Sequence, residues 1–256
     1  MWQLPELTLL IPAYNEAQCI EASVKSCIAH CLEAGLDFEV LVVDDGSTDE
    51  TAAIVESLCQ DHAAGFERLR LLRLKRNVGK GGAVRAGLAV AAGRYVIFTD
   101  ADLSTPMEEV PKILPALQDS CDVVLGTRHA PGSSIPVPQP PLRRLAGRAY
   151  RQLARMVLRS QVSDLQCGTK GFKVPVARTI ARQARLEGYA FDAEIVILAR
   201  QHGWRVGEVP IVWRHRGGSK VSLLRDAPKM FIDLLKVRVA ELRGGYRPGD
   251  SEHGSS

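Results

Sequence analysis

The sequence predicts an α/β fold in which a mainly parallel central sheet carries helices on both faces. Short apolar runs alternate with longer segments of helical periodicity, and this order is typical of successive βαβ units. The apolar runs are nearly continuous, as expected for strands that are buried on both sides. A chain of 256 residues, of which 46% are hydrophobic, is also long enough to form one substantial core.

Five apolar runs are predicted to be strands of this sheet. Each run is short, rich in Val, Ile or Leu, and bounded by residues that favour turns. They span residues 7–11, 38–43, 69–74, 94–98 and 121–126.

Helices are predicted between these strands. The first, at residues 16–34, places its apolar residues on one face and precedes Gly35, a frequent stop signal. A second helix begins near Ser47 or Thr48, either of which can cap it. A third follows a glycine-rich turn and spans residues 82–92.

The second half of the chain changes character. Five prolines in residues 127–141 predict a loop or lid without regular structure. Residues 142–159 have the pattern of an amphipathic helix whose arginine face is either solvated or a surface for anionic lipid or phosphate. A further amphipathic helix at residues 223–243 either docks on the domain or lies at a membrane. We expect one domain at residues 1–243 and a flexible tail at 244–256.

Composition excludes several classes of function. A net charge of +4 with 5% aromatic residues does not indicate a nucleic-acid-binding protein. The six cysteines are scattered without a C-x-x-C pair, which favours free thiols in a reducing compartment over disulfides or zinc. No signal peptide and no apolar stretch of about 18 residues is visible. We therefore expect a cytoplasmic protein that is attached peripherally, if at all, to the cytoplasmic face of a membrane.

Chemically versatile residues follow four of the predicted strands. In open parallel sheets, ligands bind beyond the carboxyl ends of the strands, so these segments should meet in one site. The four segments are residues 12–16, 44–46, 76–82 and 100–102.

Asp100 and Asp102 follow the fourth strand directly. Side chains two residues apart point to the same side of an extended backbone. The two carboxylates could therefore hold Mg²⁺ or Mn²⁺ together with a substrate diphosphate. The alternative is a carboxylate that caps the helix expected to begin after Ser104. The residue pattern alone leaves both interpretations open.

The other strand ends favour a nucleoside ligand. Tyr14, Glu16, Asp44 and Asp45 offer an aromatic wall and hydrogen-bond acceptors, although ordinary turns use the same residue types. The glycine-rich turn around Lys80 has neither the spacing of a P-loop nor that of a dinucleotide-binding fingerprint. This argues against a kinase or an NAD enzyme.

Nine short motifs occur in a fixed order at residues 11–16, 43–49, 77–81, 100–102, 126–128, 164–172, 191–194, 208–210 and 218–221. In that order they resemble the GT-A glycosyltransferases of family 2, and in particular the polyprenyl-phosphate (dolichyl-phosphate) glucosyl- and mannosyltransferases. The resemblance covers residues 7–222. The sequence departs from the family pattern at Thr127, where serine is common, and at Ser104, where many mannosyl enzymes have glutamine.

The resemblance implies a nucleotide-sugar donor, UDP-glucose or GDP-mannose, and a polyprenyl phosphate acceptor. Asp100 and Asp102 would face Mg²⁺ or Mn²⁺ and the donor diphosphate. Arg128 would meet the acceptor phosphate, with Arg144 and Arg148 beside it. The other implied donor-binding residues are Pro12, Ala13, Tyr14, Glu16, Asp44, Asp45, Lys80, Ala101, Ser219 and Lys220.

The chemistry of the acceptor agrees with this resemblance. A phosphate monoester has a second pKa of about 6, so at neutral pH it is already a dianionic nucleophile. Such an acceptor needs cations such as Arg128 to hold it, whereas a hydroxyl acceptor needs a general base. Asp192 could serve as that base, so transfer to an alcohol stays open.

We therefore expect an inverting hexosyltransferase that moves glucose from UDP-glucose to polyprenyl phosphate at a membrane surface. The near alternatives are a GDP-mannose-dependent enzyme and a family 2 transferase with a saccharide or protein hydroxyl as acceptor. Two alternatives from different classes are a sugar-1-phosphate nucleotidyltransferase and a non-catalytic membrane-binding domain.

Overall fold

The computed structural model describes residues 4–137, 141–216 and 223–247, without the side chains of 142–143 and 223–227. Its strands are β1 (Leu7–Ala13), β2 (Phe38–Asp44), β3 (Leu69–Arg73), β4 (Tyr95–Phe98), β5 (Val123–Thr127), β6 (Ser134–Val137), β7 (Lys170–Lys173), β8 (Val206–Pro210) and β9 (Val212–Arg214). Its α-helices are α1 (Ile20–Glu33), α2 (Thr51–Cys59), α3 (Lys80–Val90), α4 (Val110–Asp119), α5 (Pro141–Leu158), α6 (Val174–Gln183), α7 (Phe191–His202) and α8 (Leu223–Leu242).

Seven strands form the central sheet in the order β3-β2-β1-β4-β7-β5-β8. All pairs are parallel except those of β7, which runs antiparallel to both β4 and β5. The predicted fold class, a mainly parallel α/β sheet, is confirmed. The register pairs Ala13 with Asp44 and Leu10 with Phe98, so β1, β2 and β4 end at one edge of the sheet.

Two apolar layers cover the sheet. Because alternate strand residues point to opposite faces, Leu9 and Ile11 pack in one layer and Leu10 packs in the other. The first layer includes side chains of α1, α2 and α4, and the second includes side chains of α3, α5, α6, α7 and α8. In the described parts of the chain, no helix is sufficiently long and apolar to cross a membrane.

β7 was not predicted, although it lies in the middle of the sheet. Its sequence, Lys170-Gly171-Phe172-Lys173, lacks the apolar run of a buried strand. Lys170 is fully buried, and Gly171 lies so close to α4 that a Cβ atom would come within 2.7 Å of Ile113 Cγ2. The strand is therefore possible only because a tertiary partner neutralises the buried lysine.

The prediction that residues 127–141 lack regular structure is wrong in part. Ser134–Val137 form β6, which pairs in parallel with β9. Each strand of a two-stranded sheet is an edge strand, and this position tolerates the missing N–H of Pro136.

The prediction of a flexible tail from residue 244 is also wrong at its start. Tyr246 is 2% exposed, and its hydroxyl donates to Glu194 Oε1 at 2.7 Å. Gly244, with φ of 80°, turns the chain after α8 so that this ring reaches the core. The rest of the predicted tail, residues 248–256, lies outside the described residues.

Candidate active site

The loops after β1 and β2 are joined by hydrogen bonds. The Asn15 amide donates to Ser47 Oγ at 2.9 Å, and the Thr48 amide donates to Asn15 Oδ1 at 2.8 Å. The Glu16 amide donates to Thr51 Oγ1 at 2.7 Å. Asn15 adopts a φ of 53°, a left-handed conformation that asparagine tolerates better than most residues. These bonds hold the loop that carries the predicted donor residues beside the end of β2.

Asp45 joins the end of β2 to the turn before α3. Its two carboxylate oxygens accept the backbone amides of Val78 at 2.8 Å and Gly79 at 2.9 Å. Burial raises the pKa of Asp45 above its usual value. Its neighbour Asp44 is also buried. The two hydrogen bonds show that Asp45 fixes the glycine-rich turn before α3. Contacts of Asp44 and Asp45 with a nucleoside stay a prediction.

Lys80, the first residue of α3, forms an ion pair with Asp100 at the end of β4. Burial lowers the pKa of Lys80, but the carboxylates of Asp100 and Asp192 outweigh it and raise that pKa above its usual value. The backbone of Gly168 lies directly against the Asp100 carboxylate, because a Cβ atom on Gly168 would be 1.9 Å from Asp100 Oδ2. The predicted metal ligand is thus held between a cation and a glycine backbone.

Asp102 has different partners. Its carboxylate accepts the Ser104 amide at 2.9 Å and the Ser104 hydroxyl at 2.8 Å. Leu103 between them has a φ of 47°, and the Ala101 carbonyl accepts the Ser23 hydroxyl of α1 at 2.6 Å. Asp102 therefore closes a tight turn but does not cap a helix, because the helical segments that follow begin at Met107 and Val110 without a side-chain cap.

Asp100 and Asp102 still fit a divalent cation. The described residues contain no group of three or more His, Cys, Asp or Glu side chains that could hold a metal ion by themselves. Mg²⁺ commonly uses only one or two protein carboxylates and takes its other ligands from water and substrate phosphates. The Lys80 ammonium next to Asp100 shows that this carboxylate already accommodates a positive charge.

Arg128, just after β5, is paired with Asp164. The Arg128 Nε donates to Asp164 Oδ2 at 2.7 Å and its Nη2 donates to Oδ1 at 2.9 Å, a bidentate arrangement. Burial alone would raise the pKa of Asp164, but the guanidinium lowers it to about 2. Arg128 also lies 5.3 Å from the ring centre of Trp213. Its side chain is therefore fixed before any acceptor binds.

Further cations surround this pair. Arg151 of α5 makes a hydrogen bond with the His129 ring, and Arg148 lies near enough to both to influence their ionisation. Burial lowers the pKa of His129, and the neighbouring arginines lower it further. Arg144, the other predicted acceptor residue, is exposed on α5. We call Arg128, His129, Arg148 and Arg151 the cationic cluster.

Asp192, in the first turn of α7, lies against Lys170. The Lys170 Nζ is 2.8 Å from Asp192 Oδ1, and Lys170 is fully buried. The Nζ atoms of Lys170 and Lys80 lie 5.5 and 6.0 Å from the same Phe98 ring centre. Asp100, Asp192 and the two lysines therefore form one charged group beneath the carboxyl ends of the strands.

Sequence reasoning did not assign roles to Lys170, Asp164 or His129, and it placed Arg151 only on the arginine face of residues 142–159. Asp164 and Lys170 belong to the motif at residues 164–172, which was a usable signal. His129 carried no such signal, because its contact with α5 depends on packing between distant elements. The predicted residues Ser219 and Lys220 lie outside the described residues.

Comparison with known proteins identifies the family. Residues 8–181 match the profile of glycosyl transferase family 2, and the chain belongs to this family. It is therefore a glycosyltransferase with the predicted GT-A architecture. The dolichyl-phosphate beta-glucosyltransferase of Saccharomyces cerevisiae is 32% identical over 255 residues, which cover 94% of this chain and 76% of the relative. The enzyme of the same name from Drosophila melanogaster is also 32% identical, covering 94% and 77%.

Solved structures share the fold. Glucosyl-3-phosphoglycerate synthase of Mycobacterium tuberculosis, in complex with Mn²⁺, UDP-glucose and phosphoglyceric acid, superimposes with a TM-score of 0.66 at 18% identity. The match covers 95% of this chain and 81% of that one. The same enzyme in complex with Mg²⁺ and UDP gives a TM-score of 0.65 at 19% identity, covering 95% and 80%.

Proposed function

We propose that this protein transfers glucose from UDP-glucose to a dolichyl or related polyprenyl phosphate, with inversion at the anomeric carbon. The relatives named dolichyl-phosphate beta-glucosyltransferase support this substrate pair, because they are similar over nearly the whole chain. Inversion follows because the donor is an α-glucoside and the relatives' name specifies a β product.

The cationic cluster is the observation that carries the choice of acceptor. The cluster and its partner contain three arginines and one carboxylate, that of Asp164, so positive charge remains in excess without a contribution from His129. A phosphate dianion fits such a surface, since its oxygens accept charge-assisted hydrogen bonds from guanidinium groups. The cluster follows β5, and Arg128 lies within electrostatic range of Asp100.

The proposed reaction requires alignment more than proton transfer. An oxygen of the acceptor phosphate attacks C1 of glucose, the bond from C1 to the diphosphate oxygen breaks, and the electron pair leaves with UDP. The cationic cluster would hold the nucleophile in line, and Lys80 would pair with the departing diphosphate. When bound by Asp100 and Asp102, Mg²⁺ or Mn²⁺ would neutralise charge on the leaving group.

The environment of Asp192 also favours a phosphate acceptor over a hydroxyl. A general base has to reach the acceptor proton with an available carboxylate oxygen. Asp192 is 7% exposed and contacts the buried ammonium of Lys170. Its geometry suits charge balance within the group of Asp100, Lys80 and Lys170 better than proton removal.

The proposal includes peripheral attachment to the cytoplasmic face of a membrane. The acceptor is a lipid, so the enzyme must meet a bilayer surface. All six cysteines are free thiols, which agrees with a reducing compartment.

The test is a transfer assay with purified protein, Mn²⁺ and detergent-solubilised dolichyl phosphate. We expect UDP release and a glucosylated lipid with UDP-glucose, and little product with GDP-mannose or with dolichol in place of its phosphate. Arg151→Ala should raise the KM for the acceptor about tenfold without changing the KM for UDP-glucose, whereas the exposed Arg182→Ala should change neither. Preferential transfer from GDP-mannose, or equal transfer to dolichol, would contradict the proposal.

A further inference from the structure

His129 and Arg151 make a contact that joins the end of β5 to α5. Arg151 Nη1 forms a hydrogen bond with His129 Nε2. A guanidinium group carries only donors, so Nε2 is the acceptor of this bond. An imidazole nitrogen can accept only when the ring is neutral, and the ring proton then lies on Nδ1. Burial and the neighbouring arginines lower the pKa of His129, in agreement with a neutral ring.

The backbone of His129 is fixed from the other side. The His129 amide donates to Thr127 Oγ1 at 3.1 Å, and this hydroxyl lies 2.7 Å from Ser163 Oγ. The Ser163 amide in turn donates to Glu208 Oε1 of β8 at 2.8 Å. The ring therefore extends from a segment that is anchored to the edge of the sheet. Among the residues that the structure describes, it is the hydrogen-bond partner of the Arg151 guanidinium.

Arg128 and Arg151 thus have partners of different charge. Arg128 is held in a bidentate ion pair by the Asp164 carboxylate, which balances its charge. Arg151 is held by an uncharged ring, which fixes the direction of the guanidinium but leaves its charge in place. Burial and the neighbouring arginines lower the pKa of Arg151 although Asp164 opposes them, so the charge of Arg151 is not fully balanced.

We propose that His129 is a positioning residue that orients Arg151 for the acceptor phosphate without neutralising it. A carboxylate at position 129 would also orient Arg151, but it would compete with the phosphate for the guanidinium. A side chain without an acceptor would leave Arg151 mobile, and binding would then have to order it. This inference rests on the proposed function, because it assigns a role at the acceptor site defined there.

Calorimetric titration of the full chain with geranyl phosphate, a short and water-soluble prenyl phosphate, tests the proposal. His129→Gln supplies a neutral acceptor, and His129→Glu supplies a charged acceptor of the same size. We expect the Kd of the glutamine variant to stay within about threefold of wild type. The glutamate variant should lose about tenfold or more, the worth of one charge-assisted hydrogen bond. His62→Glu, at an exposed histidine after α2, is the control and should change the Kd less than about twofold.

A double-mutant comparison separates the orientation of Arg151 from a general effect of negative charge. In the Arg151→Ala background, the residue at position 129 has no guanidinium to orient. The difference in Kd between the glutamine and glutamate variants should therefore shrink to about threefold or less. An unchanged difference in this background would mean that glutamate only repels the phosphate, and it would overturn the proposal. Thermal unfolding checks that every variant is folded.

The protonation of the ring gives a second, independent measurement. Nitrogen NMR spectroscopy of isotope-labelled protein near neutral pH distinguishes the two neutral tautomers, and the signal lost in His129→Gln is that of His129. We expect the proton on Nδ1. A proton on Nε2 or on both nitrogens would contradict the proposed role.

Two further results would contradict this role. One is a wild-type protein that does not bind geranyl phosphate or binds geraniol equally well, and the other is equal affinity in wild type and His129→Glu. The proposed function is tested separately by glucosyl transfer. If the expected Kd values and tautomer are found but no glucosylated lipid forms, only the proposed function is contradicted.

Discussion

The ammonium group of Lys80 forms an ion pair with Asp100, the carboxylate predicted to bind the metal. If Asp100 binds a divalent cation as predicted, Lys80 would compete with that cation for the same oxygen atoms until a diphosphate gave the lysine another partner. This relationship links the glycine-rich turn before α3 to the acidic turn after β4.

Replacing Lys80 should strengthen metal binding and weaken donor binding. We expect Lys80→Gln to increase the affinity of the nucleotide-free protein for Mn²⁺ several-fold, because it removes the competing charge. The same change should raise the KM for UDP-glucose, because an amide cannot neutralise a diphosphate. Calorimetric titration with Mn²⁺ measures the first effect, and Lys75→Gln, at an exposed lysine on the same turn, is the control. An unchanged Mn²⁺ affinity would show that Asp100 does not bind the metal.

Gly168 should tolerate no side chain. A Cβ atom there would lie 1.9 Å from Asp100 Oδ2, so Gly168→Ala must displace the carboxylate or the backbone. We expect loss of Mn²⁺ binding and a fall in kcat of at least a hundredfold. Gly147→Ala is the matched control, because that glycine lies in α5 with no atom within 4 Å of the added Cβ. The control should keep full activity and gain up to about 1 kcal/mol in free energy of unfolding.

The pair of Asp164 and Arg128 predicts a pH dependence of stability. Burial alone would raise the pKa of Asp164 from 3.8, but Arg128 lowers it to about 2. A carboxyl group with a lower pKa in the folded state stabilises fully above its unfolded pKa and loses this effect as pH falls towards the folded value. The stabilisation should therefore disappear between about pH 4 and pH 2, and it amounts to about 2 kcal/mol.

Urea unfolding of Asp164→Asn and wild type measures this effect. The difference in free energy of unfolding should be constant above about pH 5 and shrink by about 2 kcal/mol towards pH 2. Asp119→Asn, at an exposed carboxylate on α4, should show no such change. A difference for Asp164→Asn that does not vary with pH would refute the role of this ion pair.

Asp192 distinguishes the two acceptor classes. If its carboxylate only balances Lys170, Asp192→Asn should reduce kcat less than tenfold while lowering stability, because a buried ammonium loses its counter-charge. A general base would contribute about a hundredfold to ten-thousandfold. Steady-state kinetics with dolichyl phosphate and UDP-glucose decides between them. A loss of a hundredfold or more with unchanged donor binding would favour a hydroxyl acceptor.

Tyr246 should act on the donor site through Glu194. The carboxylate of Glu194 accepts the amides of Arg185 and Leu186, both at 2.8 Å, as well as the Tyr246 hydroxyl. The next carbonyl, that of Glu187, accepts the Gly81 amide at 2.8 Å at the start of α3. The C-terminal turn is thus connected to the helix that begins with Lys80.

We expect Tyr246→Phe to lower the free energy of unfolding by about 1–3 kcal/mol, since a buried carboxylate loses a donor. It should also raise the KM for UDP-glucose without changing the KM for the acceptor. Chemical denaturation and steady-state kinetics measure these effects. The control is Tyr95→Phe, at the end of β4 that lies away from Asp100. Lower stability with an unchanged donor KM would show that the contact is structural only.

The position of the predicted donor residues at one edge of the sheet was predictable from the sequence. The apolar runs of β1, β2 and β4 identify buried parallel strands, and the polar residues after them must lie at one edge of the sheet. Asp100 and Asp102 were found by this argument. Their separate partners, Lys80 and Ser104, were not, because a shared side of an extended strand does not fix side-chain conformation once a turn begins.

The sequence by itself determined the fold class and the sheet edge at which the candidate site residues lie, because both depend on local periodicity and on where each strand ends. Only the tertiary structure decided which charges are paired. Lys170 can be buried in β7 because it forms an ion pair with Asp192. Tyr246 is buried in the core because its hydroxyl donates to Glu194. Such pairs join residues far apart in the chain, and their stability depends on burial that no local pattern specifies.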